Sequence, residues 1–267
     1  MNSDSTNHKA DLPSGTAEAE AAHAEQRGRD AEAATYEAEQ IRNKGASYYR
    51  MHARILRRAL NGIGDGPLLD AGCGTGLVTR ELVGNGRRIA ALDFSTESLK
   101  LLTAKHLDGV IAAAGSVTSL PLVGGSFSAA VCALVLQHIP PGQRSIAWEE
   151  LYRCLRPGGR LVVTAYNNAE FTWRNAPIEG VYPSGIPYYS FACEDLLREA
   201  EAAGFRRATV RPIGAALHLR HRRMGWRFYQ SLHPILNAAE ARLHGCLPAN
   251  RQWPSSYWIL TAMRPPA

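Results

Sequence analysis

The chain lacks long apolar runs and the cysteine patterns of zinc or disulfide proteins. Its longest apolar stretch, "AAVCALVLQHI", is too short to cross a membrane, and residues 1–15 contain no basic region followed by an apolar one. The five cysteines are scattered, with no CxxC pair, and no acidic cluster indicates a divalent metal. We therefore expect a cytoplasmic protein with reduced, mostly buried thiols, no transmembrane segment and no metal site.

Acidic side chains are scarce outside the first forty residues. Residues 1–40 carry nine acidic and three basic side chains, which leaves 15 acidic and 27 basic in the remainder. Four of these basic side chains, together with two histidines, lie in residues 217–228, "LHLRHRRMGWRF". A solvated helix face, a clamp for an anionic substrate and contact with an anionic membrane all explain this segment. No nucleic-acid-binding module accompanies it, so we do not expect a nucleic-acid partner.

Large apolar side chains are almost absent from residues 1–33, which are rich in Ala, Glu, Ser and Gly. Such a composition cannot offset the entropy of ordering, so we predict a disordered tail. Residues 34–267 are predicted to form one domain. Apolar and aromatic positions between residues 36 and 60 recur at helical spacings, which predicts one or two helices before the first strand.

Short apolar runs then alternate with helical stretches, which predicts a doubly wound, Rossmann-like α/β fold. The predicted strands cover residues 67–72, 88–94, 109–115, 127–135, 159–166, 206–216 and 255–265, giving a mostly parallel seven-stranded sheet. The predicted helices cover residues 76–84, 96–105, 143–155 and 193–205. Residues 166–190 and 214–256 interrupt the alternation. Because ligands of such sheets bind beyond the carboxyl ends of the strands, we predict that these insertions form a substrate cap.

The stretch "LLDAGCGTG", residues 68–76, places three glycines on alternate positions after a buried strand. Such a turn allows a ligand to approach bare backbone N–H groups. No Lys-Ser or Lys-Thr pair follows, which excludes a P-loop, and the third glycine comes one position too early for the dinucleotide fingerprint. Asp93, 17 residues after Gly76, suits a ribose, and Asp70 suits an ammonium group. S-adenosylmethionine has both groups.

Residues 68–164 resemble the class I S-adenosylmethionine-dependent methyltransferases of the small-molecule type. The resemblance rests on the ordered motifs "LLDAGCGTG", "ALDFS", "GSVTSLPL", "SFSAAVCALVLQHI" and "LRPGGRLVVT". It implies that S-adenosylmethionine is held by Asp70, Gly72, Cys73, Gly74, Gly76, Asp93, Phe94, Ser116, Val117 and Ala133. Tyr49 and Arg50, on the helix before the loop, are candidates to lie over the cofactor, with ordinary helix packing as the alternative. Ser116 and Ser128 stand where relatives often have Asp.

Three residues are candidates for catalysis. His138 follows the fourth predicted strand, near the expected methyl group, and is a candidate general base. Tyr188 and Tyr189 are candidates to supply a hydroxyl, within an aromatic set that also includes Phe171, Trp173 and Tyr182. This set suits an apolar acceptor pocket, and plain core packing is the alternative.

The sequence thus predicts an enzyme that transfers a methyl group to O, N or activated C of a small organic acceptor, aromatic or anionic in character. The alternatives are a macromolecular or membrane-associated acceptor, an NAD-dependent oxidoreductase, and a cofactor-binding protein without catalysis. The oligomeric state cannot be read from the sequence.

Overall fold

A computed structural model describes residues 15–84, 86–173, 175–215, 226–244 and 255–267. The helices in these ranges are α1 (Gly15–Lys44), α2 (Ala46–Ala59), α3 (Thr79–Leu82), α4 (Thr96–Thr103), α5 (Arg144–Cys154), α6 (Asn168–Trp173), α7 (Cys193–Ala202) and α8 (Trp226–Leu243). The strands are β1 (Leu68–Ala71), β2 (Ile89–Asp93), β3 (Val110–Ala114), β4 (Phe127–Ala133), β5 (Leu155–Tyr166), β6 (Glu179–Val181), β7 (Pro187–Tyr189), β8 (Arg206–Ile213) and β9 (Tyr257–Met263).

Seven of the strands form one sheet in the order β3-β2-β1-β4-β5-β9-β8. Strands β1 to β5 are parallel to one another, and β9 runs antiparallel to both β5 and β8. The predicted seven-stranded, mostly parallel sheet is therefore confirmed. The order reverses between β1 and β4, so the carboxyl ends of β1, β2 and β4 surround the crevice where ligands of open α/β sheets bind.

Apolar side chains bury both faces of the sheet. Residues of β4 from Phe127 to Cys132 are all buried, as expected of a central strand covered on both sides. One face packs against α5 and α7 through a core that contains Trp148, Phe205 and Trp258. The other packs against α2 through Ile55 and Leu56. The sheet is thereby held rigid beneath the crevice.

The first helix overturns one prediction. Helix α1 begins at Gly15, so the prediction of a disordered tail is wrong for residues 15–33, while residues 1–14 lie outside the described residues. Alanine and glutamate favour helix, and polar contacts dock the helix where an apolar face is missing. Gln26 Nε2 donates to the Phe94 carbonyl at 2.8 Å, and Asp30 Oδ1 accepts from Ser95 Oγ at 2.6 Å. Helix α1 therefore lies across the turn between β2 and α4.

The first insertion is ordered structure and not a plain loop. Residues 166–190 contain α6 and the antiparallel hairpin of β6 and β7. The second insertion, residues 214–256, contains α8, which packs against α2. Most of the basic segment 217–228 lies outside the described residues, which omit 216–225 and 245–254.

The cysteine prediction is confirmed at four positions. Cys73, Cys132, Cys154 and Cys193 are buried free thiols, and Cys246 lies outside the described residues. Within the ranges that the structure covers, no helix combines the length and the apolar character needed to cross a membrane.

Candidate active site

A cavity of about 220 Å³ lies where β1, β2 and β4 end. The turns that follow β1 and β2 form part of its wall, and the segment after β4 forms another part. Most of the predicted site residues line it, namely Tyr49, Asp70, Gly72, Cys73, Gly74, Asp93, Phe94, Ser116, Val117, Ala133 and His138. Asp70 and His138, which are 68 positions apart in the chain, thus meet at one edge of the sheet, because parallel strands bring their carboxyl ends together.

The three glycines of the loop have the same backbone conformation for different reasons. Gly72, Gly74 and Gly76 have φ values of 79°, 52° and 85°, in the left-handed region. A Cβ on Gly72 would lie 2.2 Å from Val135 Cγ2, and one on Gly76 would lie 2.4 Å from Leu102 Cδ1. A Cβ on Gly74 would meet nothing within 4 Å. Gly72 and Gly76 therefore allow close packing, whereas only Gly74 faces open space.

The expectation of bare backbone N–H groups on this loop is wrong for Gly72, Cys73, Gly74 and Gly76. The N–H groups of Gly72 and Cys73 donate to the Leu92 carbonyl at 2.7 and 2.9 Å, and that of Gly76 donates to the Cys73 carbonyl at 3.0 Å. The N–H of Gly74 donates to Asp93 Oδ2 at 2.7 Å. The loop thus offers a ligand room above Gly74 but not these donors, because the tight turn uses them internally.

Asp93 joins the loop to the end of β2. Its Oδ2 accepts from the Gly74 N–H and its Oδ1 accepts from the Ser95 N–H at 2.9 Å. The carboxylate is buried, and burial raises its pKa, which the two N–H bonds oppose. Each oxygen keeps a second lone pair, so the carboxylate can also accept two hydroxyl groups from a ligand in the cavity.

Asp70, at the end of β1, is the second buried carboxylate of the cavity. Its Oδ2 accepts a hydrogen bond from Thr79 Oγ1 at 2.7 Å. Burial raises the pKa of Asp70 to about 6, and the nearby charge of Asp93 adds to this, while the Thr79 bond opposes it. A cation placed beside Asp70 would favour the ionised form, so this part of the cavity suits an ammonium group.

The segment after β3 contributes Ser116 and Val117. The Ser116 hydroxyl accepts from the Thr118 N–H at 3.2 Å and lies 2.8 Å from Thr118 Oγ1, so it stabilises its own turn. Phe94 and Gln143 complete this end of the cavity. Sequence reasoning missed Gln143, which is the last residue of the 3-10 turn Pro141–Gln143 and carried no motif.

His138 lies where the cavity meets the first insertion. Its Nδ1 is 2.7 Å from the Pro187 carbonyl oxygen, which can only accept, so Nδ1 carries the proton. The Nε2 lone pair then faces the Gln137 amide at 3.4 Å. Burial lowers the pKa of His138 to about 3, so the ring is neutral at physiological pH. A neutral imidazole can accept a proton at Nε2, but a pKa this low makes it a weak base.

The other two catalytic candidates do not line the cavity. Tyr188 stacks on Phe171 with ring centroids 5.6 Å apart, and Tyr189 lies 5.6 Å from the Arg144 guanidinium carbon. Tyr182 lies near His138, with ring centroids 6.4 Å apart, and its hydroxyl donates to the Tyr166 hydroxyl at 2.9 Å. Trp173 ends α6, and its side chain is outside the described residues.

Helix α2 contributes one of its two candidates. Tyr49 is buried and lines the cavity, whereas Arg50 is exposed and does not. Successive residues of a helix point about 100° apart, and in α2 this turns Arg50 to the exposed side while Tyr49 faces the cavity. The structure therefore does not bring Arg50 to the cofactor cavity.

Helix α1 supplies residues that sequence reasoning missed. Its cavity-lining residues are Glu25, Arg29, Glu32, Ala33 and Tyr36. Glu25 pairs with Arg29 at 3.7 Å, and burial raises the pKa of Glu25. Spacings of three and four residues place this set on one helix face. This spacing was the signal in the sequence for a shared helix face. A search for apolar periodicity does not detect it, because three of the five side chains are charged.

Comparison with known proteins agrees with this geometry. Residues 69–163 match the family model described as "Methyltransferase domain". A demethylmenaquinone methyltransferase of Beutenbergia cavernae is 33% identical over 133 residues, which cover 48% of this chain and 52% of that protein. A ubiquinone biosynthesis O-methyltransferase of Xanthomonas oryzae pv. oryzae is 28% identical over 149 residues, covering 52% and 60% respectively. The chain thus spans about half to three fifths of the length of these relatives.

Two solved structures share the fold over almost the whole chain. A methyltransferase of Thermotoga maritima matches with a TM-score of 0.59 and 18% identity, covering 91% of this chain and 99% of that one. The 1,6-didemethyltoxoflavin-N1-methyltransferase of Burkholderia thailandensis matches with a TM-score of 0.58 and 18% identity, covering 96% and 93%. The match to the family model, the strand order of the sheet and the glycine-rich turn all indicate the same fold. Residues 69–163 match a methyltransferase domain, and the chain has the fold of the class I S-adenosylmethionine-dependent methyltransferases.

Proposed function

We propose that the protein transfers the sulfonium methyl group of S-adenosylmethionine to an oxygen, nitrogen or activated carbon of a small organic acceptor. The observation that carries this proposal is the single cavity shared by Gly74, Asp70, Asp93 and His138. The relatives named for demethylmenaquinone and ubiquinone methylation support a small organic acceptor.

The cavity residues fit the cofactor group by group. The open space above Gly74 leaves room for the methionyl part against the loop, and buried Asp70 suits its ammonium group. The second lone pairs of Asp93 suit the two ribose hydroxyls, and Phe94 offers a flat apolar face for adenine. When bound, S-adenosylmethionine supplies an electrophilic methyl group on a positively charged sulfur.

The chain's own residues then contribute position and proton transfer. The β6–β7 hairpin contacts His138 through the Pro187 carbonyl, and we expect it to exclude water from an acceptor beside this residue. Holding the acceptor in line with the departing sulfur supplies much of the rate enhancement. His138 Nε2 takes a proton only where the acceptor must lose one, as a hydroxyl does. His138→Ala then lowers kcat and leaves cofactor affinity unchanged.

The test is calorimetric titration with S-adenosylmethionine, S-adenosylhomocysteine and NAD. We expect wild-type protein to bind the first two, and Asp93→Asn to weaken both by tenfold or more, because a buried charged acceptor for two hydroxyls is removed. Asp108→Asn, at an exposed position, is the matched control and should bind as wild type. Binding of NAD alone would contradict the proposal and favour an oxidoreductase.

Turnover separates an enzyme from a cofactor-binding protein. Mass spectrometry of reactions with hydroquinone, phenol and amine acceptors should detect a 14 Da gain together with S-adenosylhomocysteine. Tight cofactor binding with no product from any acceptor class would favour a protein that retains the cofactor site without catalysis.

A further inference from the structure

A second cavity lies at the opposite end of the sheet from the first. It has a volume of about 440 Å³ and is bounded by α2, the last turn of α8 and strands β5, β9 and β8. We call it the basic cleft and define it by Arg58, Arg160, Arg207, Thr209, Arg211 and His244. Arg160 and Arg207 lie near the N-terminal ends of the segments of β5 and β8 that pair in the sheet. The two strands run in the same direction, on either side of β9. The cleft is therefore distinct from the proposed methyl-transfer site.

Strand register explains why these side chains share one face. Arg160 is opposite Met263, Thr209 is opposite Thr261, and Arg211 is opposite Ile259. Ile259 packs in the core beneath α2, whereas its neighbour Leu260 packs in the core on the other face. An apolar side chain at these edge positions would extend the α2 core. Guanidinium groups are found there instead.

A β-bulge brings one of the arginines into the cleft. Arg206 is opposite Met263 and Thr209 is opposite Thr261, so β8 has one residue more than β9 in this interval. Ala208 packs against the α5 and α7 core, and Arg207 has φ of 54°. A left-handed conformation costs a residue with a Cβ roughly 1 kcal/mol. Bulges that redirect a side chain are frequent beside functional sites.

The described residues of the basic cleft carry positive charge and include no carboxylate. Four guanidinium groups and one imidazole line the cleft. Arg160 Nη1 donates to the Ala59 and Asn61 carbonyls, each at 2.7 Å, and Arg58 Nη1 donates to the Ala241 carbonyl. Carbonyl acceptors orient these groups without neutralising them. In the part of the chain that the structure describes, buried His244 Nε2 has no hydrogen-bond partner.

We propose that the basic cleft binds a phosphate group. Guanidinium groups donate in pairs to phosphate oxygens, and the Thr209 hydroxyl adds a further donor. The cleft is larger than one phosphate, so it accommodates part of the molecule that carries the group. The same phosphate ester chemistry occurs in soluble phosphorylated metabolites and in anionic lipid headgroups. The site requires neither S-adenosylmethionine nor methyl transfer.

The first test is titration with inorganic phosphate at constant ionic strength. We expect wild-type protein to bind, and Arg207→Gln/Arg211→Gln to raise Kd by about tenfold or more, because two charged donors are lost. The control Arg42→Gln/Arg198→Gln removes the same charge from side chains that are 72% and 71% exposed, and its Kd should stay within about twofold of wild type. Thermal unfolding of both double variants verifies that they fold.

The second test separates the two sources of phosphate. Flotation with phosphatidylglycerol vesicles, compared with phosphatidylcholine vesicles, reports binding to an anionic headgroup. Vesicle binding that Arg207→Gln/Arg211→Gln abolishes supports a lipid ligand, and phosphate binding without vesicle binding supports a soluble one. Equal weakening in both double variants would assign the effect to overall charge and overturn the proposal. Failure of wild-type protein to bind either probe would also overturn it, whatever the outcome with S-adenosylmethionine.

Discussion

Gly72 and Gly74 allow loop packing to be separated from cofactor binding. Alanine at either position incurs roughly 1 kcal/mol for its left-handed backbone. Only at Gly72 does the added Cβ collide with a core side chain, Val135. We expect Gly74→Ala to remain folded but to bind S-adenosylmethionine at least about tenfold more weakly, because its methyl group occupies ligand space. Gly72→Ala should instead lower Tm by several degrees more than Gly74→Ala does.

Calorimetry and thermal unfolding of the two variants make this comparison. An unchanged affinity in Gly74→Ala would mean that the cofactor does not lie against the loop at this position.

Asp70 makes cofactor binding depend on pH. Its pKa is raised to about 6 in the free protein, and a bound ammonium group would favour the ionised form. Binding should therefore release a proton near pH 6 and weaken as the pH falls below that value, by up to tenfold per pH unit. Calorimetry between pH 5 and 8 in buffers of different ionisation enthalpy measures both effects.

Asp70→Asn is the control for this pH dependence, because Asp93 also has a raised pKa. The variant should bind more weakly and lose most of the dependence around pH 6. A wild-type affinity that is flat from pH 5 to 8 would contradict the assigned role of Asp70.

At the residue scale, the sequence predicted the cavity where a motif fixed the backbone. Asp70, Gly74 and Asp93 follow buried strands, and parallel strands bring their carboxyl ends together. The sequence did not predict site residues correctly where the direction of a side chain depends on packing. Tyr188 and Tyr189 turn towards Phe171 and Arg144, contacts that only the folded hairpin creates.

At the scale of elements, we expect helix α1 to retain the bound cofactor in its cavity. Asp30 Oδ1 accepts from Ser95 Oγ and, at 3.2 Å, from the Glu97 N–H at the start of α4. Asp30→Ala removes this attachment. We expect faster dissociation of S-adenosylhomocysteine, by several-fold, and faster amide hydrogen exchange in α1, because the helix then covers the cavity less often.

Stopped-flow dissociation and hydrogen exchange report these changes. Glu39→Ala, on an exposed turn of the same helix, loses only a weak pair to Arg42 at 4.0 Å and should behave as wild type. Identical dissociation rates in all three proteins would show that α1 does not retain the ligand.

Elements with strong apolar periodicity could be predicted, and elements held by polar contacts could not. The sheet strands were found because most of them are short apolar runs between turns, as in β4, which is buried from Phe127 to Cys132. Helix α1 was missed over residues 15–33 because Gln26 and Asp30 dock it through hydrogen bonds. Helix α6 and the β6–β7 hairpin were missed because proline and glycine in residues 166–190 resemble a loop.

At the scale of the whole molecule, buried histidines should make stability depend on pH. His52 is fully buried in α2, and burial lowers its pKa to about 3. The unfolded chain takes up a proton at this site below about pH 6.5, whereas the folded chain does so only near pH 3. Stability is therefore lost progressively as the pH falls from 6.5 to 3, by about 2 kcal/mol at pH 5.

Urea unfolding at pH 8 and pH 5 tests this dependence. His138 acts in the same direction, while the raised pKa of Asp70 acts in the opposite one, so the informative quantity is the difference between variants. His52→Leu should reduce the loss between pH 8 and pH 5, and His23→Leu, at an exposed position, should not. Parallel pH profiles for wild type and His52→Leu would contradict the assignment.

The position of β9 has a consequence for how the chain is made. Residues 257–263 pair with β5 on one side and β8 on the other, although they are the last strand along the chain. During synthesis, β1 to β5 can pair as they leave the ribosome, but β8 has no neighbour until β9 is released. A nascent chain stopped before residue 257 would expose two unpaired strand edges and the apolar surfaces around them. Such a chain is a substrate for chaperones and proteases, so translation must reach β9 before the molecule escapes quality control.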